Sequence, residues 1–212
     1  MFYSIVRGII RIILLVFYRV KIHGFDNIPN DGRLILCSNH MSNWDPIFIS
    51  IVFPRQISWM GKKELFQNKL LAFLLSKLNV FPIDRDGSDF AAMKKALRLL
   101  KDEKVLGLFP EGTRVEKFDP NNAKSGVALI SYKSKSPILP VYIESNYKLF
   151  NKVNIVIGEP IDLIEKLDGK PRSDDYLKIS KEILAKIYGF KTIIGGLDED
   201  YTSWSFRFLF WR

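Results

Sequence analysis

The stretch "RLILCSNHMSNWDPIFISIVFP" (33–54) has the pattern of a strand, a turn and a helix. Its apolar start, 33–37, is typical of a buried strand. Pro46 suits the first helical position because the N–H that proline lacks has no partner there, and Asp45 before it predicts the N-cap. His40 therefore lies in the turn between a strand and a helix.

The chemistry of this turn depends on whether His40 and Asp45 meet. Residues five apart on a straight helix point in different directions, whereas a turn can bring them together. In contact, the carboxylate would hold one imidazole nitrogen as N–H and leave the other free to accept a proton at neutral pH. The pair then predicts a general base with an orienting group. A surface histidine beside an ordinary helix cap is the alternative that these residues alone leave open.

Strand-like runs alternate with helical runs along the rest of the chain. The predicted strands are 33–38, 57–60, 79–83, 104–109, 137–143 and 153–157. The predicted helices are 64–78 and 88–104, the second of which begins with a cap at Ser88 or Asp89. The apolar stripe of this second helix is Phe90, Met93, Leu97 and Leu100. Such alternation predicts an α/β fold, a single domain with a largely parallel mixed sheet flanked by helices.

The composition limits the classes of partner. The 212 residues suit one domain, and with 47% hydrophobic residues the chain is not expected to be disordered. Lysine and arginine outnumber aspartate and glutamate by 32 to 23, which gives a net charge of +9 and indicates an anionic partner. A membrane surface or a phosphorylated substrate fits better than nucleic acid, because no nucleic-acid motif is present. No metal-ligand cluster is apparent, and no bound cofactor is predicted.

The first 20 residues predict an amphipathic helix in a membrane interface. No acidic residue precedes Asp26, and the longest uncharged run, 12–18, is far shorter than the roughly 20 residues that span a bilayer. At helical spacing one stripe holds the polar side chains Arg7, Arg11, Tyr18 and Lys21. Isoleucines and valines fill the remainder, as in a helix that turns its cations, Arg19 included, toward the lipid head groups. Packing on its own domain is the alternative for this helix.

Three unusual loops follow the ends of predicted strands. They are "NHMSNWDP" (39–46), "IDRDG" (83–87) and "FPEGTR" (109–114). Parallel neighbours would place these loops at one rim of the sheet, where ligands gather in α/β folds. The rim would then hold His40, Asp45, Arg85, Glu111, Gly112, Thr113 and Arg114. In "PEGTR", glycine allows close backbone approach and the planar arginine fork matches phosphate oxygens, so this loop predicts a phosphate site.

The order and spacing of these motifs resemble the four motifs of the glycerolipid acyltransferases. The matching residues are His40 and Asp45 with four residues between them, "IDR" (83–85), "FPEGTR" (109–114) and "LPVY" (139–142). Within that family the chain resembles the bacterial 1-acyl-glycerol-3-phosphate acyltransferases. Asn79, where the second motif often begins with glycine, and Val115, where serine is frequent, are departures from the pattern. Asparagine tolerates the left-handed backbone better than most residues, so the turn is expected to survive.

The resemblance implies a direct acyl transfer without an acyl-enzyme. His40, oriented by Asp45, would deprotonate the 2-hydroxyl of lysophosphatidic acid, which attacks the thioester of acyl-CoA or of acyl carrier protein. Phosphatidic acid for phospholipid biosynthesis would result, at an anionic membrane surface on the cytoplasmic face of the cell membrane. A different glycerolipid acceptor, or a non-catalytic membrane-binding relative, is the alternative.

The resemblance also assigns substrate-binding residues. Those for the glycerol phosphate of the acceptor are Arg85, Glu111, Gly112, Thr113 and Arg114. Pro140 would shape the acyl or acceptor pocket, and Lys62 and Lys63 match a basic pair near the active site, where the backbone would stabilise an oxyanion. Lys124 and Gly126 resemble the segment that follows the third motif.

A covalent route is disfavoured by the strand pattern. Alternation places Cys37 and His40 on opposite faces of the strand, and Ser38 lacks a nucleophile-elbow sequence. Cys37 is expected to be a buried apolar residue, and His23 a structural residue on an edge strand. The predicted segments are therefore a membrane-interface helix (1–20), an acyltransferase domain (21–195) and an aromatic tail (196–212). The tail would contact the membrane or pack against the domain.

Overall fold

The computed structural model of the chain describes residues 2–84, 89–163 and 171–197. The strands are β1 (Arg19–His23), β2 (Leu34–Ser38), β3 (Ile57–Lys62), β4 (Val80–Ile83), β5 (Val105–Leu108), β6 (Ile138–Glu144) and β7 (Lys152–Ile157). The helices are α1 (Phe2–Phe17), α2 (Asp45–Val52), α3 (Lys69–Lys77), α4 (Phe90–Lys101), α5 (Gly126–Ser134), α6 (Ser173–Gly189) and α7 (Lys191–Leu197).

The strands form one mixed sheet in the order β1-β7-β6-β2-β5-β3-β4. The five strands from β6 to β4 are parallel, whereas β7 is antiparallel to β6 and pairs in parallel with β1 at the edge. This topology confirms the predicted largely parallel mixed sheet and places His23 on an edge strand, as expected. The carboxyl ends of β2, β5, β3 and β4 share one rim.

Helices cover both faces of the sheet. The connections β2-α2-β3 and β3-α3-β4 advance in one direction across the sheet, while β4-α4-β5 and β5-α5-β6 return. Right-handed crossovers therefore place α2 and α3 on one face, here called the front face, and α4 and α5 on the back face. Helix α1 contacts α2 on the front face, and α6 contacts α5 on the back face.

Each face of β2 is buried in its own core. Leu34 and Leu36 belong to the front core with Phe48, whereas Ile35 and Cys37 belong to the back core. Burial on both faces explains why this strand is continuously apolar. Cys37 has no exposed surface, and its burial raises the pKa of the thiol, so the prediction of a small buried apolar residue is confirmed.

Two helix predictions need correction. The segment 64–78 divides into a 3₁₀ turn at Lys63–Phe66 and α3. In α4, Asp89 is the cap, since its Oδ1 accepts from the Ala92 N–H at 2.8 Å. Phe90, however, is 81% exposed and not part of the core stripe. Ala92 and Ala96 are buried there instead, because small side chains let α4 approach the sheet closely.

The N-terminal helix is shorter than predicted. It ends at Phe17, and Arg19 already pairs with Lys152 in the sheet. Tyr18 is buried and Lys21 lies in β1, so the polar stripe of the helix contains only Arg7 and Arg11. The helical pattern of the sequence continues past Phe17, but residues 19–23 pair with β7 in the sheet, so the helix ends before them. The aromatic tail, from residue 198 onward, lies outside the described residues.

Candidate active site

The turn after β2 brings His40 and Asp45 into contact. His40 Nδ1 lies 3.0 Å from Asp45 Oδ2, and both side chains are buried. The same carboxylate oxygen accepts the N–H groups of Met41 and Ser42 at 2.7 Å each. Asp45 is therefore not the N-cap, which is Trp44. Its carboxylate closes the preceding turn and orients the imidazole instead of capping α2.

A tyrosine completes the support of Asp45. The Tyr147 hydroxyl donates to Asp45 Oδ1, so the carboxylate accepts four hydrogen bonds in all. Burial, with the Asp45 charge, raises the pKa of Tyr147 and keeps its hydroxyl a donor. Because Asp45 accepts from Nδ1–H, the imidazole presents Nε2 as its proton acceptor. Tyr147 lies 102 residues from Asp45 in sequence, and no local motif predicts the contact.

The loop after β5 holds His40 through its backbone. The His40 N–H donates to Glu111 Oε2 at 2.8 Å, and the His40 carbonyl accepts from the Val115 N–H at 2.9 Å. These contacts exist because β2 and β5 are neighbours in the sheet. Val115 acts through its backbone, so its departure from the frequent serine leaves this contact intact.

Both carboxylate oxygens of Glu111 accept hydrogen bonds from the protein. It is 1% exposed, and its second oxygen accepts from the Tyr188 hydroxyl of α6 at 2.7 Å. Burial raises the pKa of Glu111 to about 6, although the hydrogen bonds from Tyr188 and His40 oppose this shift. The observed role of Glu111 is to position the His40 backbone. A direct contact between Glu111 and substrate stays a prediction.

Aromatic stacking fixes the plane of the imidazole. The His40 ring stacks on Phe109 with centroids 3.9 Å apart and an interplanar angle of 13°. Phe109 stacks in turn on Trp59 at 4.9 Å. A Cβ atom at Gly107 would lie 2.5 Å from the Trp59 ring, so this position excludes larger residues. Sequence reasoning missed both ring contacts, because it placed Phe109 at the start of the "FPEGTR" loop and Trp59 in a strand without assigning either a stacking role.

The "PEGTR" loop presents a cationic surface beside this pair. Gly112 has a φ of 67°, a left-handed conformation that suits glycine, and its N–H closes a turn on the Phe109 carbonyl at 2.9 Å. Thr113 and Arg114 are exposed, and within the described parts of the chain the Arg114 guanidinium makes no ion pair. Lys124 packs beside Gly112, with its Cγ 3.4 Å from a Cβ built there.

Comparison with known proteins finds similar sequences over most of the chain. The Acyltransferase family profile matches residues 19–144, more than half of the chain. The chain belongs to the acyltransferase family. A 1-acyl-sn-glycerol-3-phosphate acyltransferase of Bacillus subtilis is 33% identical over 165 residues, which are 75% of this chain and 82% of the relative. Another from Streptococcus pneumoniae is 30% identical over 96% of this chain and 76% of its own length.

The fold of the acyltransferase has a solved counterpart. The crystal structure of the 1-acyl-sn-glycerophosphate (LPA) acyltransferase PlsC from Thermotoga maritima superposes with a TM-score of 0.69. The aligned region covers 93% of this chain and 80% of that protein at 24% identity, a level at which the match supports the fold. This match confirms the predicted fold class, and the family profile with the two relatives confirms the predicted family.

The remaining residues predicted for the acyltransferase site include several in and around β3 and β4. Lys62 and Lys63 are exposed at the rim end of β3, where Lys62 lies 3.5 Å from Glu64 and Lys63 pairs with Asp84. Asn79 has a φ of 60°, which confirms that it adopts the left-handed conformation. Arg85 lies outside the described residues. Strand β4, which precedes Arg85 in the sequence, is separated from β5 by β3.

Pro140 lies on the back face of the sheet. It is buried in β6 opposite Cys37, and its Cγ lies 3.0 Å from a Cβ built at Gly158. The His40 stack is continuous with the front core through Phe109. The described contacts of Pro140 are thus on the other face from the imidazole, and its part in a substrate pocket stays a prediction.

Replacing Tyr147 tests its positioning role. Tyr147→Phe removes one donor to the Asp45 carboxylate, and hydrogen bonds to charged groups contribute about 1.5–3 kcal/mol. We expect kcat to fall about tenfold or more with little change in KM, because the imidazole loses orientation while the substrate surfaces remain. Steady-state kinetics would measure both constants. Tyr176→Phe, in α6 on the back face, is the matched control, and equal losses in both variants would contradict the assignment.

Proposed function

We propose that the protein is a membrane-associated 1-acylglycerol-3-phosphate O-acyltransferase. It transfers a fatty acyl group from a thioester to the 2-hydroxyl of lysophosphatidic acid and forms phosphatidic acid. The observation that carries this function is the 3.0 Å contact between His40 Nδ1 and Asp45 Oδ2 beside the cationic "PEGTR" loop. The names of the Bacillus subtilis and Streptococcus pneumoniae relatives support the acceptor.

The reaction is a direct transfer with His40 as the general base. Nε2 takes the proton of the 2-hydroxyl while its oxygen attacks the thioester carbonyl. The Asp45 carboxylate stabilises the imidazolium that forms. Collapse of the tetrahedral intermediate breaks the carbon–sulfur bond, and the imidazolium returns the proton to the leaving thiolate. The single cysteine is buried with a raised thiol pKa and takes no part.

The acceptor phosphate binds at the "PEGTR" loop. Arg114 offers a planar donor fork, Thr113 offers a hydroxyl, and Lys124 adds positive charge beside Gly112. The burial and both hydrogen bonds of Glu111 hold this loop against His40, so the phosphate site and the base are fixed relative to each other. Such fixed geometry favours transfer to a hydroxyl near the phosphate.

Arg114→Ala should lower kcat/KM for lysophosphatidic acid about 10–100-fold, the range expected for a lost hydrogen-bonded charge contact. Turnover of monoacylglycerol should change little, because that acceptor has no phosphate. Parallel assays with both acceptors would measure the difference. Arg98→Ala, an exposed arginine of α4 on the back face, is the matched control. Equal loss on both acceptors would assign Arg114 to the fold or to the donor.

Membrane association is proposed from the outward face of α1. Ile5, Ile9, Ile12 and Val16 form one stripe and are 52%, 55%, 60% and 66% exposed. Arg7 is on the opposite side of the helix and donates to the Pro54 carbonyl at 3.3 Å. A surface helix that only served its own domain would turn its polar side outward. The exposed isoleucines support the expected lipid contact. Arg7 and Arg11 lie half-buried toward the domain, so the prediction that these two cations face the lipid head groups is wrong.

The geometry of α1 favours an interfacial position. Its 16 residues extend about 24 Å, less than the roughly 30 Å of the hydrocarbon core. Among all residues that the structure describes, no helix has the length and apolarity to cross a membrane. Phe150 adds exposed apolar surface at the C-terminal end of α1, since its N–H donates to the Phe17 carbonyl at 2.7 Å and its ring centroid lies 6.1 Å from that of Phe17.

The acyl donor is acyl-CoA or acyl carrier protein, and the active site lies on the cytoplasmic face of the membrane. Both donors are anionic, and the net charge of +9 favours either. The test is a matrix of purified protein with both donors and with lysophosphatidic acid, glycerol 3-phosphate and monoacylglycerol as acceptors. Phosphatidic acid should be the main product. Preference for another acceptor, or vesicle binding without any product, would overturn the proposal.

A further inference from the structure

Helix α3 exposes apolar side chains where a soluble domain normally exposes polar ones. Leu70, Phe73 and Leu74 are 71%, 56% and 41% exposed, and their spacing places them on one stripe. None of the α3 residues is buried; Ala72 and Leu75 are half-buried toward the sheet. A contiguous exposed apolar patch of this kind marks an interaction site.

We infer that α3 is a second membrane contact, separate from α1, that docks on an anionic lipid surface. The α3 surface consists of Leu65, Leu70, Leu71, Phe73 and Leu74 with Lys69 and Lys77. The inference rests on the proposed function in one respect, because that function makes the acceptor a membrane lipid. It adds a defined orientation of the domain on the bilayer, which α1 alone does not provide.

The position of α3 in the fold supports this contact. Right-handed crossovers place α3 on the front face together with α2, and α1 contacts α2 on that same face. The helices therefore follow the order α1, α2, α3 across the front of the sheet. The exposed side chains of the catalytic turn lie in the middle of this row, at the start of α2. They are Met41, Trp44 and Ile47 at 39%, 43% and 36% exposure.

This order places one apolar helix on each side of the catalytic turn. The C-terminal end of α1 is near the rim, because Tyr18 donates to the Tyr147 carbonyl at 3.3 Å. The N-terminal end of α3 is near the rim as well, because only the short 3₁₀ turn at Lys63–Phe66 separates it from the end of β3. A flat lipid surface can therefore contact α1, the turn that carries His40, and α3 at once.

The charges on α3 indicate that the partner of the α3 surface is an anionic lipid. Lys69 and Lys77 lie at the two ends of the helix, which contains no acidic residue. The Lys77 ammonium lies 5.4 Å from the centroid of the Phe73 ring, as in a side chain that extends along apolar surface to reach a polar boundary. Basic residues beside an apolar stripe are attracted to anionic phospholipid.

A fluorescent label can report the contact directly. Cys37 is buried and its thiol pKa is raised, so an introduced exposed cysteine would be labelled selectively. Phe73→Cys with an environment-sensitive dye should show a blue shift on addition of vesicles of phosphatidylcholine and phosphatidylglycerol. Phe90→Cys is the matched control, because Phe90 is 81% exposed in α4 on the back face. Its label should keep the emission seen in water.

Substitution tests the contribution of the surface to binding. The triple variant Leu70→Gln, Phe73→Gln and Leu74→Gln should lower partitioning into these vesicles about 10–100-fold. It should retain turnover of a short-chain lysophosphatidic acid dispersed in water. The double variant Phe90→Gln and Ile193→Gln removes exposed apolar side chains elsewhere and should partition like wild type. Flotation of the vesicles measures both variants.

Three results would overturn the inference. A Phe73→Cys label that stays in a water-like environment, while an Ile9→Cys label shifts, would limit the membrane contact to α1. Triple-variant partitioning equal to wild type would have the same meaning. Dimers of the wild type that the triple variant loses, seen by analytical ultracentrifugation, would assign α3 to a second copy of the chain.

A Phe73 label that shifts in a protein without transferase activity would instead reject the proposed function and retain the membrane contact.

Discussion

His40→Ala should lower kcat for acyl transfer about 10²–10⁴-fold, the typical contribution of a general base. No other titratable group in the described structure takes the place of its imidazole, because in the variant Asp45 still accepts from three donors and Glu111 from two. The fold should persist, since the His40 N–H and carbonyl keep their bonds to Glu111 and Val115. Transfer of a radiolabelled acyl group to lysophosphatidic acid would measure the loss.

Cys37→Ala is the control for this prediction. Cys37 lies three residues earlier, in β2, and faces the back core, so its loss should leave kcat near the wild-type value. Circular dichroism and urea unfolding would show that both variants are folded. An inactive Cys37→Ala variant, together with an acyl-enzyme that accumulates in the wild type, would contradict direct transfer.

The catalytic pair could be predicted because it is local. Only four residues, all in one turn, separate His40 from Asp45, and a strand before the turn and a helix after it can be recognised from apolar patterns. The rim position of the "PEGTR" loop follows from parallel strands alone. Asn79 is a similar case, because its tolerance for the left-handed backbone is a property of the residue itself.

The residues that hold the pair in place could not be predicted in this way. Tyr147 reaches Asp45 across 102 residues and Tyr188 reaches Glu111 across 77, so both contacts depend on how separate elements pack. The stack of His40 on Phe109 depends on the register of β2 against β5. Helix α5 was missed because it is buried against the sheet and against α6, which leaves little contrast between its faces.

The last prediction concerns the exposed apolar stripe of α1. The quadruple variant Ile5→Gln, Ile9→Gln, Ile12→Gln and Val16→Gln should lower partitioning into anionic vesicles about 10²–10³-fold. Each of these side chains is more than half exposed, so the substitutions remove apolar contact with lipid without opening a cavity. Deletion of the first 20 residues would be a poorer test, since it also removes buried Leu14 and two residues of β1.

The same variant should separate two kinds of activity. Turnover of a long-chain lysophosphatidic acid in vesicles should fall with the partitioning, because the enzyme no longer reaches the lipid. Turnover of a short-chain acceptor dispersed in water should stay close to wild type, because the base and the phosphate site are unchanged. Flotation and acyl-transfer assays on the same preparations would measure both quantities.

An apolar replacement at the same four positions is the matched control. The variant Ile5→Leu, Ile9→Leu, Ile12→Leu and Val16→Leu keeps the hydrophobic surface and the helix. Its vesicle binding and long-chain turnover should therefore remain near wild type. Vesicle binding should also weaken as salt rises, to the extent that basic residues contribute, because charges at a surface are screened over about 10 Å at 0.1 M. If the glutamine variant bound vesicles as well as the leucine variant and turned over long-chain acceptor equally fast, α1 would not be the membrane anchor. The active site would then reach its lipid acceptor through α3 or through the aromatic tail.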